Sequence, residues 1–231
     1  MAERHIVALG GWPWDEPADA PVHAAALEDY VLAFARGRRI CFVPTAAADA
    51  AESVVRFYSA WRGRGELSHV GFFPWPPERL RDMVLGQDVV VVCGGNTANA
   101  LAIWRTHGFD AVLREAWETG VVLTGWSAGM ICWFEAGVTD SFGPQLEPFR
   151  DGLGFLAGSA CPHYDSEELR RPVYTQAVAN GLQPGVAADD CVALHYAGAE
   201  LVEAVTVREG AGAYRVDTDG EHPLDTRLLT G

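Results

Sequence analysis

The first half of the chain alternates between short apolar runs and longer segments with helical spacing, and this alternation restricts the possible folds. The apolar runs are typical of buried strands; they lie at residues 6–9, 40–43, 70–73, 89–93 and 121–124. Helices are predicted between them; these segments are 21–35, 49–61, 97–106 and 110–118. Strands and helices in this order form a parallel sheet. We therefore expect an α/β fold, with a single doubly wound, mostly parallel sheet and helices on both faces.

The rhythm changes after Glu135, where short strands with irregular connections are expected. These strands lie at residues 137–140, 158–161, 191–195 and 213–216. One helix is predicted among them, with Pro172 at its start and Gly181 just past its end. A chain of 231 residues can bury one sizeable core. We expect the second half to complete the same sheet with added hairpins, so that residues 1–231 form one catalytic domain.

Charge and cysteine content narrow the class of function. The formal net charge of -14 would repel phosphate backbones and anionic lipid, so neither nucleic acid nor a membrane is an expected partner. Five scattered cysteines without a C-x-x-C pair are typical of reduced thiols, and no leader or membrane-spanning stretch is recognised. We expect a cytoplasmic protein, monomeric or homodimeric, that acts on a small substrate. No motif predicts a cofactor, and no His/Cys spacing predicts a metal site.

The segment at residues 125–129 (GWSAG) fits the G-x-S-x-G pattern, with a predicted strand before it and a predicted helix after it. Flanking glycines allow a tight turn that would expose Ser127 at the carboxyl end of the sheet. The residues that follow, 130–135, are predicted to be helical, so the Ala128 N–H could stabilise an oxyanion. A glycine-rich turn with a helix-capping serine is the simpler alternative. The strand and helix context favours a nucleophile.

A serine nucleophile needs a base and an acid that orients the base. His163 ends a short predicted strand, which could bring its ring to the sheet edge. His195, at the end of another apolar run, is the rival and fits a buried structural histidine. Asp140 follows a short strand and is a candidate acid, with Glu135 and Glu147 as alternatives that spacing alone does not separate.

A glycine-rich loop at residues 94–97 (GGNT) follows the fourth predicted strand. Both phosphate-binding patterns, G-x-x-x-x-G-K and G-x-G-x-x-G, are absent here, and no lysine is near. An oxyanion hole shared between the Gly95 and Ala128 amides is the better interpretation. Asn96 in the same loop is a candidate for substrate binding.

Together with residues 139–140 (TD) and 161–163 (CPH), the two glycine motifs resemble the peptidase E (α-aspartyl dipeptidase) family of serine peptidases. The similarity is collinear from the first strand to about Ala193. It implies a fold like the class I glutamine amidotransferases, with serine in place of their cysteine. It also implies a Ser127, His163 and Asp140 triad and hydrolysis of dipeptides with N-terminal aspartate. Cyanophycinases resemble a more distant branch of the family that has the same G-x-S-x-G turn, called the nucleophile elbow (residues 125–129 here).

The resemblance also implies a basic side chain that holds the substrate's aspartate carboxylate. Arg170 and Arg171 are the candidates, and we favour Arg171 because it lies next to Pro172 at a helix start. Residues 165–168 (DSEE) depart from the family pattern and add negative charge. Two other functions stay open: an amidase or esterase with the same triad, and a non-catalytic metabolite-binding protein on this scaffold.

Overall fold

The computed structural model describes residues 3–13 and 20–229, which form two β-sheets and the helices packed around them. The strands are β1 His5–Leu9, β2 Arg39–Val43, β3 Glu66–His69, β4 Val89–Val92, β5 Val122–Trp126, β6 Phe134–Thr139, β7 Glu147–Phe149, β8 Leu156–Cys161, β9 Gly185–Ala188, β10 Val192–Ala197, β11 Glu200–Thr206, β12 Ala213–Asp217, β13 Gly220–Leu224 and β14 Thr226–Leu228. The helices are α1 Ala20–Leu32, α2 Ala51–Ala60, α3 Leu80–Leu85, α4 Thr97–Thr106, α5 Phe109–Glu118, α6 Ala128–Ile131 and α7 Arg170–Ala179.

The larger sheet has the order β14-β11-β10-β1-β5-β4-β2-β3. Its centre is parallel, from β1 through β5, β4 and β2 to β3, whereas β10 runs antiparallel to β1. Four consecutive valines make up β4, and all four are buried. Such β-branched residues suit a strand covered by helices on both faces. The predicted α/β class is confirmed.

The second sheet has the order β13-β12-β9-β8-β6-β7 and carries its own small core around Tyr174 and Val216, on which α7 packs. The sequence analysis assigned this half to the first sheet and to hairpins, but only β10, β11 and β14 join that sheet. The cause lies at α6, which has four residues and is followed at once by β6. Because a parallel crossover needs a dozen or more residues, β6 cannot return beside β5 and starts a new sheet.

Two predicted elements differ from the structure by four residues, more than the others, and α7 begins at Arg170 rather than at Pro172. The strand expected at residues 70–73 lies four residues earlier, as β3 at the edge of the sheet. The residues of β3 are exposed or half-buried, whereas Val70 and Phe72 are buried after its end. The helix expected at residues 130–135 ends at Ile131, so Glu135 lies on a strand. Helix α4 has the predicted bounds. Among the described residues, none of the helices has both the length and the apolar character required to cross a bilayer.

Two histidines are in contact where β1 pairs with β10. His5 Nδ1 lies 3.0 Å from His195 Nε2, and both residues are buried. Burial, together with the neighbouring His5, lowers the pKa of His195 to about 4. The nearby Glu203 carboxylate raises that pKa, but by less. Burial also lowers the pKa of His5. His195 is therefore neutral at pH 7 in the folded protein, and its burial fits the structural histidine that the sequence suggested.

This pair makes stability depend on pH. With a pKa of about 4 in the folded state and about 6.5 in the unfolded state, His195 favours folding above pH 6.5, and that contribution is lost as the pH falls towards 4. Between pH 7 and pH 5 the free energy of unfolding should fall by about 2 kcal/mol from this residue. Urea unfolding of the wild type and of His195→Gln at both pH values measures it. Equal losses in the two proteins would contradict the prediction.

Candidate active site

Ser127 occupies a strained turn between β5 and α6. Its backbone lies at φ 56° and ψ -113°, a conformation that a residue with a side chain rarely adopts. The turn packs directly on β4: a Cβ on Gly125 would lie 2.6 Å from the Val92 carbonyl oxygen, and one on Gly129 would lie 2.4 Å from it. Only glycine fits at either position, and the close packing holds Ser127 in its strained conformation.

His163 follows β8 and has a carboxylate partner. Its Nδ1 lies 2.7 Å from Asp190 Oδ1, and since a carboxylate only accepts, Nδ1 donates. The neutral ring then presents Nε2 as an acceptor. Like Ser127, His163 has a positive φ, 53°. A histidine in this tautomer is arranged to act as a base.

Asp190 lies between β9 and β10 and is held firmly. Its N–H donates to Asp165 Oδ1 at 2.9 Å, and Arg208 donates both to Asp165 and to the Asp190 carbonyl. Burial acts to raise the pKa of Asp190, but hydrogen bonds from His163 and Ser166 and the charge of Arg208 outweigh it and hold that pKa below its usual value. The carboxylate therefore stays ionised beside the imidazole at neutral pH.

Ser127 and His163 both lie beside the end of β1. The Ser127 N–H donates to the Leu9 carbonyl at 3.2 Å. Two residues further along, a Cβ on Gly11 would lie 2.0 Å from Asp190 Oδ1 and 3.1 Å from His163 Cε1. A glycine at this position lets the histidine–aspartate pair come close to the strand that also bonds the serine.

The three acids proposed from the sequence are located elsewhere. Asp140, placed after β6, lines a pocket with Ser127, but the carboxylate bonded to His163 is Asp190. Glu135 accepts from the Gly158 N–H at 2.9 Å, and Glu147 is exposed on β7. The pairing of His163 with Asp140 is therefore replaced by one with Asp190. The sequence did carry a signal: an aspartate stands directly before the apolar run of β10.

The pocket at Ser127 has a volume of about 230 Å³ and a charged lining. Its lining residues are Gly95, Asn96, Ser127, Asp140, Glu167 and Arg170. Gly95 has a φ of 133°, and a Cβ there would lie 2.1 Å from the Ala46 carbonyl oxygen. Ala128 is the first residue of α6, so its N–H has no partner within that helix. Both proposed oxyanion residues thus adjoin Ser127.

Asn96 uses its side chain to hold the pocket together. Its Oδ1 accepts from the Asn99 N–H at 2.9 Å and caps α4, while its Nδ2 donates to the Ser141 carbonyl at 2.9 Å. It thereby ties the loop after β4 to the segment that carries Asp140. Its predicted role in substrate binding would be shared with this structural role.

The two candidate arginines point to different places. Arg170 is 3% exposed, donates to Glu167 Oε2 at 2.6 Å and to the Val138 carbonyl at 2.9 Å, and lines the Ser127 pocket. The Arg171 guanidinium lies over the rings of Tyr164 and Tyr214, 4.7 and 4.8 Å from their centroids. The structure therefore favours Arg170 over Arg171, the reverse of the sequence-based preference.

Thiol and metal chemistry have no support among the described residues. All five cysteines are buried as reduced thiols, and burial raises the pKa of Cys132, the cysteine nearest the elbow in sequence, well above its usual value. No group of three or more His, Cys, Asp or Glu side chains within residues 3–13 and 20–229 could hold a metal ion.

Two comparisons by sequence find peptidases. The model of peptidase family S51 matches residues 20–204. An uncharacterised peptidase of Bacillus subtilis strain 168, YgaJ, is 45% identical over 217 residues, which cover 92% of each chain. The matched range contains Ser127, His163 and Asp190.

Solved structures share the fold at low sequence identity. A candidate peptidase E protein of Listeria monocytogenes EGD-e has a TM-score of 0.63 and 18% identity, over 90% of this chain and all of the other. A peptidase from an acI-B1 actinobacterium has a TM-score of 0.65 and 16% identity, over 97% of this chain and 95% of the other. At such identities the likeness supports the fold alone.

If Asp190 orients His163, Asp190→Asn should lower kcat by roughly ten-thousandfold, because an amide stabilises the wrong tautomer. Asp140→Asn is the matched control, since it makes the same change in a pocket residue, whereas the carboxylate bonded to His163 is that of Asp190. Its effect should fall mainly on KM. Steady-state kinetics of both variants on one peptide substrate decides between them, and a crippled kcat in Asp140→Asn alone would restore the sequence-based triad.

Proposed function

Because the chain belongs to peptidase family S51, we propose that it is a serine peptidase that cleaves short peptides with Ser127 as nucleophile, His163 as base and Asp190 as orienting acid. The resemblance to peptidase E inferred from the motifs is confirmed at the level of the family. The observation that carries the proposal is the strained Ser127 turn, which shares the end of β1 with the His163–Asp190 pair.

The proposed mechanism follows from the roles that these residue types have in serine hydrolases. Ser127 Oγ attacks the scissile carbonyl and gives its proton to His163 Nε2, while Asp190 stabilises the imidazolium through Nδ1. The negative oxygen is received by the Gly95 and Ala128 amides. Collapse of the tetrahedral intermediate breaks the peptide bond, and the imidazolium protonates the departing amine. Water, deprotonated by His163, then releases the acyl group from Ser127.

The nucleophile is tested by Ser127→Ala. The variant should fold normally and lose at least about a thousandfold in kcat/KM, because the acyl-enzyme can no longer form. A fluorophosphonate probe should label the wild type at Ser127 and leave the variant unlabelled, as read by mass spectrometry of the tryptic peptide. Cys132→Ala is the control and should retain activity. Inactivation of the wild type by thiol reagents, with no label on Ser127, would contradict the assignment.

An N-terminal aspartate is the substrate residue that the charged pocket suits best. Such a residue carries an ammonium and a carboxylate on neighbouring carbons. The pocket offers Arg170, which is paired with Glu167 at 2.6 Å, as a cation and Asp140 as an anion. Asp140 would receive the ammonium, and the Arg170 guanidinium would receive the carboxylate beside its bond to Glu167. We therefore propose dipeptides with N-terminal aspartate as the preferred substrates.

Specificity is tested by comparing neighbouring arginines. Arg170→Met should weaken kcat/KM for Asp-Xaa dipeptides by about 2–4 kcal/mol, because a desolvated carboxylate loses its cation. An Ala-Xaa dipeptide should be much less affected. Arg171→Met removes the same charge outside the pocket and should change both substrates equally. An Arg170→Met enzyme with an unchanged Asp-to-Ala preference would show that this arginine supports only the fold.

A further inference from the structure

A second cavity adjoins Ser127 and differs in character from the charged pocket. Its volume is about 290 Å³, below the roughly 300–1,000 Å³ of sites for drug-sized ligands. Its lining residues are Trp12, Phe42, Glu52, Ser53, Arg56, Cys93, Gly94 and Trp126. The size fits a single amino-acid side chain better than a cofactor.

Aromatic rings form the inner wall of this cavity. The centroids of Trp12 and Trp126 lie 5.6 Å apart, and the ring of Phe42 is nearly parallel to that of Trp126 at 6.3 Å. Rings in this arrangement offer both faces and edges to a further aromatic ring. Trp12 and Phe42 are buried, so the rings are held in place by the core. A bulky apolar or aromatic group is the complementary occupant.

Gly94 brings the cavity next to the nucleophile. A Cβ on Gly94 would lie 2.9 Å from Trp126 Nε1 and 3.2 Å from Ser127 Cβ. Any larger residue here would place its side chain between the serine and the aromatic wall. Gly94 thus lines the cavity and at the same time lies beside Ser127.

The position of the base indicates which half of the substrate enters. Trp12, which lines the cavity, directly follows Gly11, the residue against which His163 Cε1 packs. In the serine mechanism the imidazolium gives its proton to the departing amine, so the leaving residue departs on the histidine's side of the serine. The charged pocket, which holds Gly95 and Arg170, is left for the acyl residue.

A cation stands at the outer side of the cavity. Arg56 of α2 is the one cation among the described residues of the lining, and its guanidinium pairs with Glu52 at 3.3 Å. The Arg56 side chain is 47% exposed and that of Glu52 is 84% exposed, so the guanidinium is within reach of a solute that enters the cavity. The leaving residue of a dipeptide ends in a free carboxylate, which a guanidinium can bind with two parallel hydrogen bonds.

We propose that this cavity is the subsite for the leaving residue: Trp12, Phe42 and Trp126 receive its aromatic or bulky apolar side chain, and Arg56 receives its terminal carboxylate. The inference rests on the proposed peptidase activity of Ser127. Together the two pockets would bind both charged ends of a dipeptide, the ammonium on one side of Ser127 and the carboxylate on the other.

The test keeps constant the N-terminal residue that is cleaved fastest and varies the leaving group among Phe, Gly and Phe-amide. Wild-type kcat/KM should be roughly tenfold higher for Phe than for Gly. It should be roughly tenfold to a hundredfold higher for Phe than for its amide, because the amide lacks the charge that Arg56 binds. Arg56→Gln should cleave acid and amide alike. Ser53→Trp, which fills the cavity from α2, should abolish the preference for Phe over Gly.

Arg62→Gln removes the same charge at an exposed position outside the cavity and should keep the acid-over-amide preference. Fluorophosphonate labelling of Ser127 in every variant separates the two levels of the argument. Labelled enzymes that cleave Phe, Gly and amide substrates at equal rates would overturn the subsite and leave the peptidase intact. Absence of both labelling and hydrolysis in the wild type would overturn the peptidase and, with it, the subsite.

Discussion

The hydrogen bond between His163 and Asp190 is the interaction on which the candidate site depends. His163 stands at the end of β8, in the second sheet, whereas Asp190 stands where the chain leaves that sheet and enters β10 of the first. Asp165 accepts a hydrogen bond from the Asp190 N–H, and Arg208 donates one to the Asp190 carbonyl. Gly11 leaves room for the histidine–aspartate pair beside the end of β1. The base is thus brought to a serine that belongs entirely to the first sheet.

Backbone strain is concentrated around this junction. Ser127, His163 and Cys191, which follows Asp190, all have a positive φ without being glycine. Such conformations persist only where the surrounding packing determines them, and here β4, β1 and β10 supply that packing. Of these three, Ser127 and His163 belong to the candidate site, and Cys191 directly follows the partner of His163.

Much of the first sheet could be predicted, because its strands are continuous apolar runs buried on both faces. Ser127 could also be predicted, because the two glycines that its turn requires, at 125 and 129, lie within two residues of it in the sequence. Asp190 could not, since it lies 27 residues from His163 and is brought there by the crossing between two sheets. Arg170 and Arg171 show a further limit, because neighbours on a helix point about 100° apart and adjacency alone cannot select one.

The four-residue length of α6 has a consequence for how this protein would lose activity. Since the chain begins a second sheet immediately after the elbow, nucleophile and base are carried by different sheets. The second sheet contributes residues such as Leu156 and Ala160 to the larger core and also has a small core of its own. Local opening of this sheet would withdraw the imidazole while the serine turn, held by β4 and β1, stays in place. The lifetime of the active enzyme on warming would then be set at the junction between the sheets rather than by the global melting of the chain.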